Sequence, residues 1–405
     1  MDLSFSPAEE AFRAELRDWL GVNLPPAPPE PQTLAEEVAW LVEWQRRLSA
    51  GRWVGVHWPQ EYGGRGASIV ENYIFQEEMA RAQAPEIIGR IGVNLVGPTL
   101  IRHGTTAQKD RYLSKLLAAE EIWCQLFSEP NAGSDLTALR CKAERVGDDY
   151  IVNGQKVWTS YAQFARWGIL LARTDPTAPK AKGISFFIVD MHSPGVSIRP
   201  LKQMTGSEEF NEVFLENVRI PADNLVGELN RGWEIAQTTL AHERGTSARQ
   251  LVVHRMLLDE LIDLARTRHV DGRHAAASPI VRQQLAEAVI EVELLKLHNW
   301  RTLTQLLRHG KPGPESSLVK LFWSEMSQRL HDTAMQILGT HGQLVHGDPR
   351  AVARGRWPRS YLYYRAGTIF AGTSEIQRNI IAERILGLPR EDNRPQTQRQ
   401  QTGKK

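Results

Sequence analysis

The sequence predicts an α+β multidomain protein: an N-terminal all-α domain over residues 1–121, a middle β-sandwich or barrel domain over 122–230, and a C-terminal four-helix bundle over 231–390. Three observations predict it. The chain of 405 residues has room for two or three separate cores. Its apolar residues recur at helical spacing up to about Glu121, then alternate in short β-rich runs from Ile122. After Gly232 the helical period returns in four long stretches, with few strand signals between them.

The first helix is announced by Ser6-Pro-Ala-Glu-Glu, where a capping hydroxyl precedes proline at the first turn and two carboxylates that favour the helix dipole. A proline-rich stretch from Leu24 to Pro31 cannot be helical and reads as a surface connector. Helices resume over 34–50, 69–81 and 106–119. In the middle region, Cys141 to Gln155 reads as two alternating strands joined at Gly147-Asp-Asp149. Further runs start at Gly168, Gly183 and Gly195, each bounded by Gly, Pro or Asp, as in a small sandwich or barrel. The bundle helices are expected over 231–268, 279–309, 314–345 and 366–386. Residues 391–405 are polar and Gln-rich with no apolar face, which predicts a disordered tail.

Composition narrows the function. With 49 Lys and Arg against 47 Asp and Glu, no global field favours nucleic acid or an anionic membrane. The chain has no apolar run long enough to span a bilayer, and its start lacks the basic and apolar regions of a targeting segment. Cys124 and Cys141 make neither a disulfide framework nor a zinc site and read as thiols in a reducing cytoplasm. The twelve histidines form no ligand-spaced cluster, so no metal is expected.

The sharpest signal is Phe127-Ser-Glu-Pro-Asn-Ala-Gly-Ser-Asp135, followed by Lys156-Val-Trp-Thr-Ser160. A strand that runs into a turn of small residues offers backbone N–H groups and hydroxyls to a planar ring without crowding it, and Trp158 could cover one face. Read without context, the two pieces are a β-turn and a core tryptophan. Together they resemble the signature of the acyl-CoA dehydrogenase family. Trp58-Pro-Gln-Glu-Tyr-Gly-Gly64, Phe210 to Pro221 and Phe370-Ala-Gly-Thr-Ser-Glu-Ile-Gln-Arg378 are similar to that family's other motifs, in the same order.

The resemblance implies FAD as cofactor and an acyl-CoA thioester as substrate, oxidised to the trans-2-enoyl-CoA. It assigns Phe127, Ser128, Gly133 and Ser134 to one side of the flavin, and Trp158 and Ser160 to the other face near N5. Gln336, Thr373 and Glu375 are implied contacts of the adenosine and phosphate groups, although Thr373 or Glu375 could equally cap a helix. Arg268 stands where many members meet the FAD pyrophosphate across a subunit boundary, but Asp271 replaces their aromatic residue. A basic surface loop is the alternative there. Ser134 and Arg244 are implied substrate contacts.

Proton abstraction α to a thioester needs a nearby base and a stabilised enolate. Well-known members place a Glu immediately before Gly-Thr in the last motif, where this chain has Ala371. Ala371 can then supply only its backbone N–H to the thioester carbonyl. A second group, resembling isovaleryl-CoA, long-chain and bacterial sterol-side-chain enzymes, carries its Glu on the first long bundle helix. Leu240-Ala-His-Glu-Arg-Gly245 puts Glu243 there. The spacing of Trp233, Ala236, Leu240, Glu243, Ser247 and Leu251 gives one otherwise apolar or small stripe, so Glu243 should face inward. On pattern alone it could instead pair with an Arg of another helix. The resemblance further implies electron-transfer flavoprotein as acceptor and a homotetramer or dimer of dimers, with a heteromer as the alternative. Rival readings are a non-catalytic subunit, which Ala371 and Asp271 favour, and a flavin oxidase or monooxygenase on the same fold.

Overall fold

The computed structural model describes residues 4–26, 33–242, 248–270, 272–310 and 313–390. The expected tail, most of the proline-rich connector, Asp271, and the segment 243–247 with Glu243 and Arg244 lie outside these residues.

Five helices open the chain: α1 Pro7–Asn23, α2 Leu34–Ala50, α3 Ile69–Arg81, α4 Gly97–His103 and α5 Thr106–Leu117. Ser6, Ser68 and Thr105 cap α1, α3 and α5 in reciprocal capping boxes, which fix their starts locally. Trp58 organises this layer. Its buried indole N–H donates to the Val93 carbonyl at 3.0 Å, inside a π-helical turn over Gly92–Val96 that leads into α4. Gly97 lies against the same ring, where a Cβ would come within 1.8 Å of it, so only glycine fits.

Eight strands follow: β1 Trp123–Leu126, β2 Lys142–Val146, β3 Asp149–Ser160, β4 Trp167–Arg173, β5 Ile184–Asp190, β6 Val196–Leu201, β7 Phe210–Pro221 and β8 Leu225–Val226. They pair in the order β6-β7-β3-β2-β4-β5-β8, with β1 parallel to β4. β4 and β5 read as continuous apolar runs because both faces are covered. Ile169, Leu171, Phe186 and Ile188 pack with the N-terminal helices, whereas Leu170, Ala172, Phe187 and Val189 fill the interior of the β domain.

The C-terminal region holds α6 Gly232–His242, α7 Ala248–Thr267, α8 Pro279–His309, α9 Glu315–Leu338, α10 Arg356–Tyr364 and α11 Ser374–Arg384, with a small hairpin of β9 His269–Val270 and β10 Arg273–His274 before α8. The four expected stretches are all helical, with two differences. The first is described as α6 and α7 on either side of 243–247. The last is shorter than expected, because a turn at Ala371–Gly372 separates α11 from the preceding 3-10 turn at Ala366–Thr368. α10, outside the four expected stretches, is a helix whose Trp357 is buried against His331 and whose Arg356 pairs with Glu260.

Candidate flavin and thioester site

The two halves of the central motif lie side by side, the first in the segment after β1 and the second at the end of β3. β1 ends at Leu126, and the Val157 N–H donates to the Ser128 carbonyl at 3.0 Å, which brings 127–135 beside 156–160. Lys156 locks them together. It is fully buried, and its ammonium donates to the Phe127 carbonyl at 3.1 Å and to Glu129 at 2.8 Å. The Glu129 carboxylate also accepts from the N–H groups of Arg140 at 2.6 Å and Cys141 at 2.9 Å. A buried charge is tolerated only when it is paired and its remaining hydrogen-bonding positions are filled, and both conditions are met.

On that frame Trp158 is not a core residue. It sits at φ 60°, in a register break of the β3–β7 ladder between Lys156 and Thr159, and is 60% exposed. An L residue at positive φ within a strand is costly, and here it turns a large indole outward, in a T-shaped pair with Phe210 whose ring centroids are 6.2 Å apart. Ser160 is paired with Phe210, and the Thr159 hydroxyl is buried with no partner among the described residues. Gly133 and Ser134 are exposed in the turn, and a Cβ on Gly133 would meet nothing within 4 Å. Phe127 differs from the expectation in kind. Its ring is buried edge-on to Phe186 and its carbonyl is taken by Lys156, so its side chain belongs to the core.

The second cluster surrounds Ala371, which has φ 52° and is exposed. Its carbonyl accepts from Gln377 at 3.0 Å, and the Gly372 carbonyl accepts from Lys320 of α9 at 2.6 Å. Half-burial pushes the Lys320 ammonium down to about 8, against the pull of Glu325 and Glu375. Thr373 is the N-cap of α11, accepting from the Ile376 N–H at 3.2 Å, while the Ser374 hydroxyl is buried and unpartnered among the described residues. Thr373, Ser374 and Glu375 border a cavity of about 540 Å³ with Glu325, Arg329 and Arg378.

Arg268 and Gln336 lie elsewhere. Arg268 follows α7 and has a buried Nε without a partner among the described residues, and Gln336 accepts from Gln284 at 2.8 Å. From Lys320 to Gln336 along α9 is about 24 Å at the helical rise, so Gln336 is remote from the Ala371 turn of the same chain, and Arg268 follows the end of α7 whose Leu264 and Ala265 pack on that same far end of α9.

α6 is pinned near its described end. The hydroxyls of Thr239 and Thr99 lie 2.9 Å apart in the core, and His103 bonds Thr238 at 3.0 Å. Ala236 is buried, and Trp233 and Leu240 pack on the same core, while Leu251 is buried in the bundle. The described members of the stripe therefore face inward on both sides of 243–247.

Lys156, Lys320 and Gln377 were not singled out from sequence. The alternation Tyr150, Val152, Gly154, Lys156 put Lys156 on the inward face and could have found it. Gln377 reaches back six residues to Ala371 within its own motif, whereas Lys320 acts across helix packing and leaves no local signal. Among the described residues no cluster of His, Cys, Asp or Glu could hold a metal, and no helix is long and apolar enough to cross a membrane.

Family models for the N-terminal, middle and C-terminal domains of acyl-CoA dehydrogenase match residues 6–120, 124–218 and 230–386. The chain is 40% identical over 393 residues to acyl-CoA dehydrogenase IpdE1 of Mycobacterium tuberculosis, covering 94% of this chain and 98% of that one. Among solved structures, the ChsE4-ChsE5 complex from Mycobacterium tuberculosis superposes with TM-score 0.83 at 34% identity, over 96% of this chain and 100% of that one. The Tcur3481-Tcur3483 steroid ACAD superposes with TM-score 0.82 at 32% identity, over 96% and 100%. Rice isovaleryl-CoA dehydrogenase is 30% identical over 342 residues, 82% of this chain and 80% of that one. With all three models matched in order, the chain belongs to the acyl-CoA dehydrogenase family of FAD-dependent oxidoreductases acting on CH–CH groups.

Proposed function

We propose that this chain oxidises an acyl-CoA thioester at its α and β carbons with Glu243 as the base. The observation that carries the reading is the pairing of an outward-turned Trp158 with the open Gly133–Ser134 turn on one buried frame. These features fit FAD. A ring can lie against the indole without displacing core residues, and the unpartnered donors Ser374 Oγ and Arg268 Nε suit its hydroxyl and phosphate groups.

In this reading Glu243 takes the α-proton as the Cα–H bond breaks, and that electron pair becomes the new Cα–Cβ double bond. The bound FAD would supply the acceptor, at N5, for the β-hydrogen leaving as hydride. The Ala371 N–H supports the thioester carbonyl as negative charge develops on its oxygen. Lys320 and Gln377 hold the strained turn that aims this N–H. Ser134 and Arg244 contact the thioester, and Ser128, Gly133, Ser134, Trp158, Ser160, Thr373 and Glu375 line one FAD, with Phe127, whose ring is in the core, contributing through its backbone alone. Since Arg268 and Gln336 are remote from these within one chain, their FAD contacts would be made to a neighbouring subunit. An exposed apolar stripe on α8, formed by Ile290, Leu294 and Leu297, supports assembly.

Two solved relatives bear names of two chains, and one is called a steroid ACAD. We therefore infer a bulky, ring-bearing or branched acyl group, for which Ala371 leaves room, with either identical subunits or a related second chain. Electrons would pass to an electron-transfer flavoprotein in the cytoplasm. Anaerobic titration of the yellow protein with straight, branched and ring-bearing thioesters tests the reading: ring-bearing or branched thioesters should bleach the flavin. Bleaching by none of them, or, in a parallel assay in air, oxygen consumption as fast as flavin reduction, would refute it.

A further inference from the structure

Near the described end of α6, one hydrogen bond inside the core ties this helix to the N-terminal layer. The hydroxyls of Thr239 on α6 and Thr99 on α4 are fully buried and lie 2.9 Å apart. Each also reaches the carbonyl four residues back in its own helical segment, Thr239 that of Ile235 at 3.0 Å and Thr99 that of Leu95 at 2.7 Å. Two hydroxyl protons therefore serve three contacts, and at any moment at most two of the three are made. Either threonine alone would be satisfied by its own carbonyl. Burying these hydroxyls does not require the bond between the helices, so that bond is free to serve alignment.

The Thr99 end is fixed. Leu95 belongs to the π-helical turn over Gly92–Val96, whose Val93 carbonyl is held by the Trp58 indole, and Gly97 packs on the same ring. On the α6 side, Trp233, Ala236 and Leu240 make apolar contacts, which are non-directional and tolerate a roll of the helix about its axis. The His103–Thr238 bond, at 3.0 Å, lies on the less buried flank. Side chains end about 5–6 Å from a helix axis, so a roll of about 10° moves their tips by about 1 Å. A misplacement of that size at a reacting group can cost about a hundredfold in rate. Glu243 is the residue after α6, four positions beyond Thr239.

We propose that Thr99 and Thr239 are positioning residues for the dehydrogenation: their hydroxyl pair sets the roll of α6 against α4 and with it the aim of the base. The proposal rests on the reading of Glu243 as that base.

Thr239→Val and Thr99→Val each remove the bond at nearly constant volume and leave the other hydroxyl with its own carbonyl. Thr239→Ser keeps the hydroxyl but leaves a methyl-sized gap in the core. The FAD-loaded proteins are mixed anaerobically with 3-cyclohexylpropanoyl-CoA, a ring-bearing thioester, and flavin reduction is followed by stopped flow. Thr239→Val and Thr99→Val should each reduce the flavin at least tenfold more slowly than the unmodified protein, with the thioester dissociation constant unchanged within twofold. The double variant should be no slower than the slower single one, because both substitutions remove the same bond. Thr239→Ser should keep at least half the rate despite its gap. Rates within twofold of normal in Thr239→Val and Thr99→Val, a Thr239→Ser protein as slow as Thr239→Val, or a loss confined to thioester affinity would each overturn the proposal. Failure of the readings beneath it would look different: an unmodified flavin that the thioester does not bleach refutes the dehydrogenase reading, and a near-normal rate in Glu243→Gln refutes the assignment of the base.

Discussion

Lys156 and Glu129 form a buried ion pair at 2.8 Å that joins the strand carrying Trp158 to the turn carrying Gly133. The carboxylate completes its shell with two backbone N–H groups and the ammonium with the Phe127 carbonyl. The pair sets the distance between the two faces of the candidate flavin slot.

Removing one partner leaves an uncompensated charge in the core. Lys156→Met should destabilise the protein by about 3–5 kcal/mol and yield colourless protein. The double substitution with Glu129→Gln should recover part of the stability. Thermal melting and the 450 nm absorbance per chain measure both effects.

Trp158 gives the opposite pattern. Because its ring is mostly exposed, Trp158→Ala should change stability by no more than about 0.5 kcal/mol. Flavin affinity should nevertheless fall at least tenfold, read from the dissociation constant of added FAD. A loss of stability with unchanged flavin affinity would make Trp158 a structural residue only.

At Ala371 the left-handed backbone favours glycine. Ala371→Gly should stabilise the fold by about 1 kcal/mol. Lys320→Met removes the ammonium that holds the Gly372 carbonyl and should lower the rate of flavin reduction more than thioester affinity. Lys320→Arg should restore part of the rate. A fall in melting temperature with an unchanged reduction rate would leave Lys320 without a positioning role.

Much of the fold could be read from the sequence where local chemistry decides it. The helices at Leu34–Ala50 and Ile69–Arg81 begin after Thr33 and Ser68, whose hydroxyls accept from the first-turn backbone, and both match the expected bounds. The β2–β3 hairpin followed from alternation and a Gly147 turn at φ 62°. What could not be read depends on contacts distant in sequence. The π turn before α4 is seated by Trp58, and α10 is fixed by the burial of Trp357. At the site, the motif placed Trp158 and Gly133, but the Ala371 turn is held by Lys320 from another helix, which no local pattern encodes.

The bundle core should be acid-sensitive. His254 bonds Ser327 and the Gln250 carbonyl, and His331 bonds the Ser327 carbonyl, with Tyr364 edge-on to His254 and tilted over His331. Burial pushes both imidazoles down to about 4, from an ordinary value of 6.5. Their folded values are depressed, so the unfolded chain binds the extra protons. The stability they contribute is fully present above pH 6.5 and is lost as pH falls toward 4, by about 1.4 kcal/mol per pH unit for each histidine. Urea melts from pH 7 to 4.5 should show this slope, and His254→Gln should flatten it.

Glu243 carries the central claim, and one measurement bears on it most directly: the anaerobic rate of flavin reduction by a substrate thioester in Glu243→Gln. The account predicts a yellow protein that still binds the thioester but reduces its flavin at least a thousandfold more slowly than the unmodified chain. A near-normal rate would contradict it and assign the base to another residue.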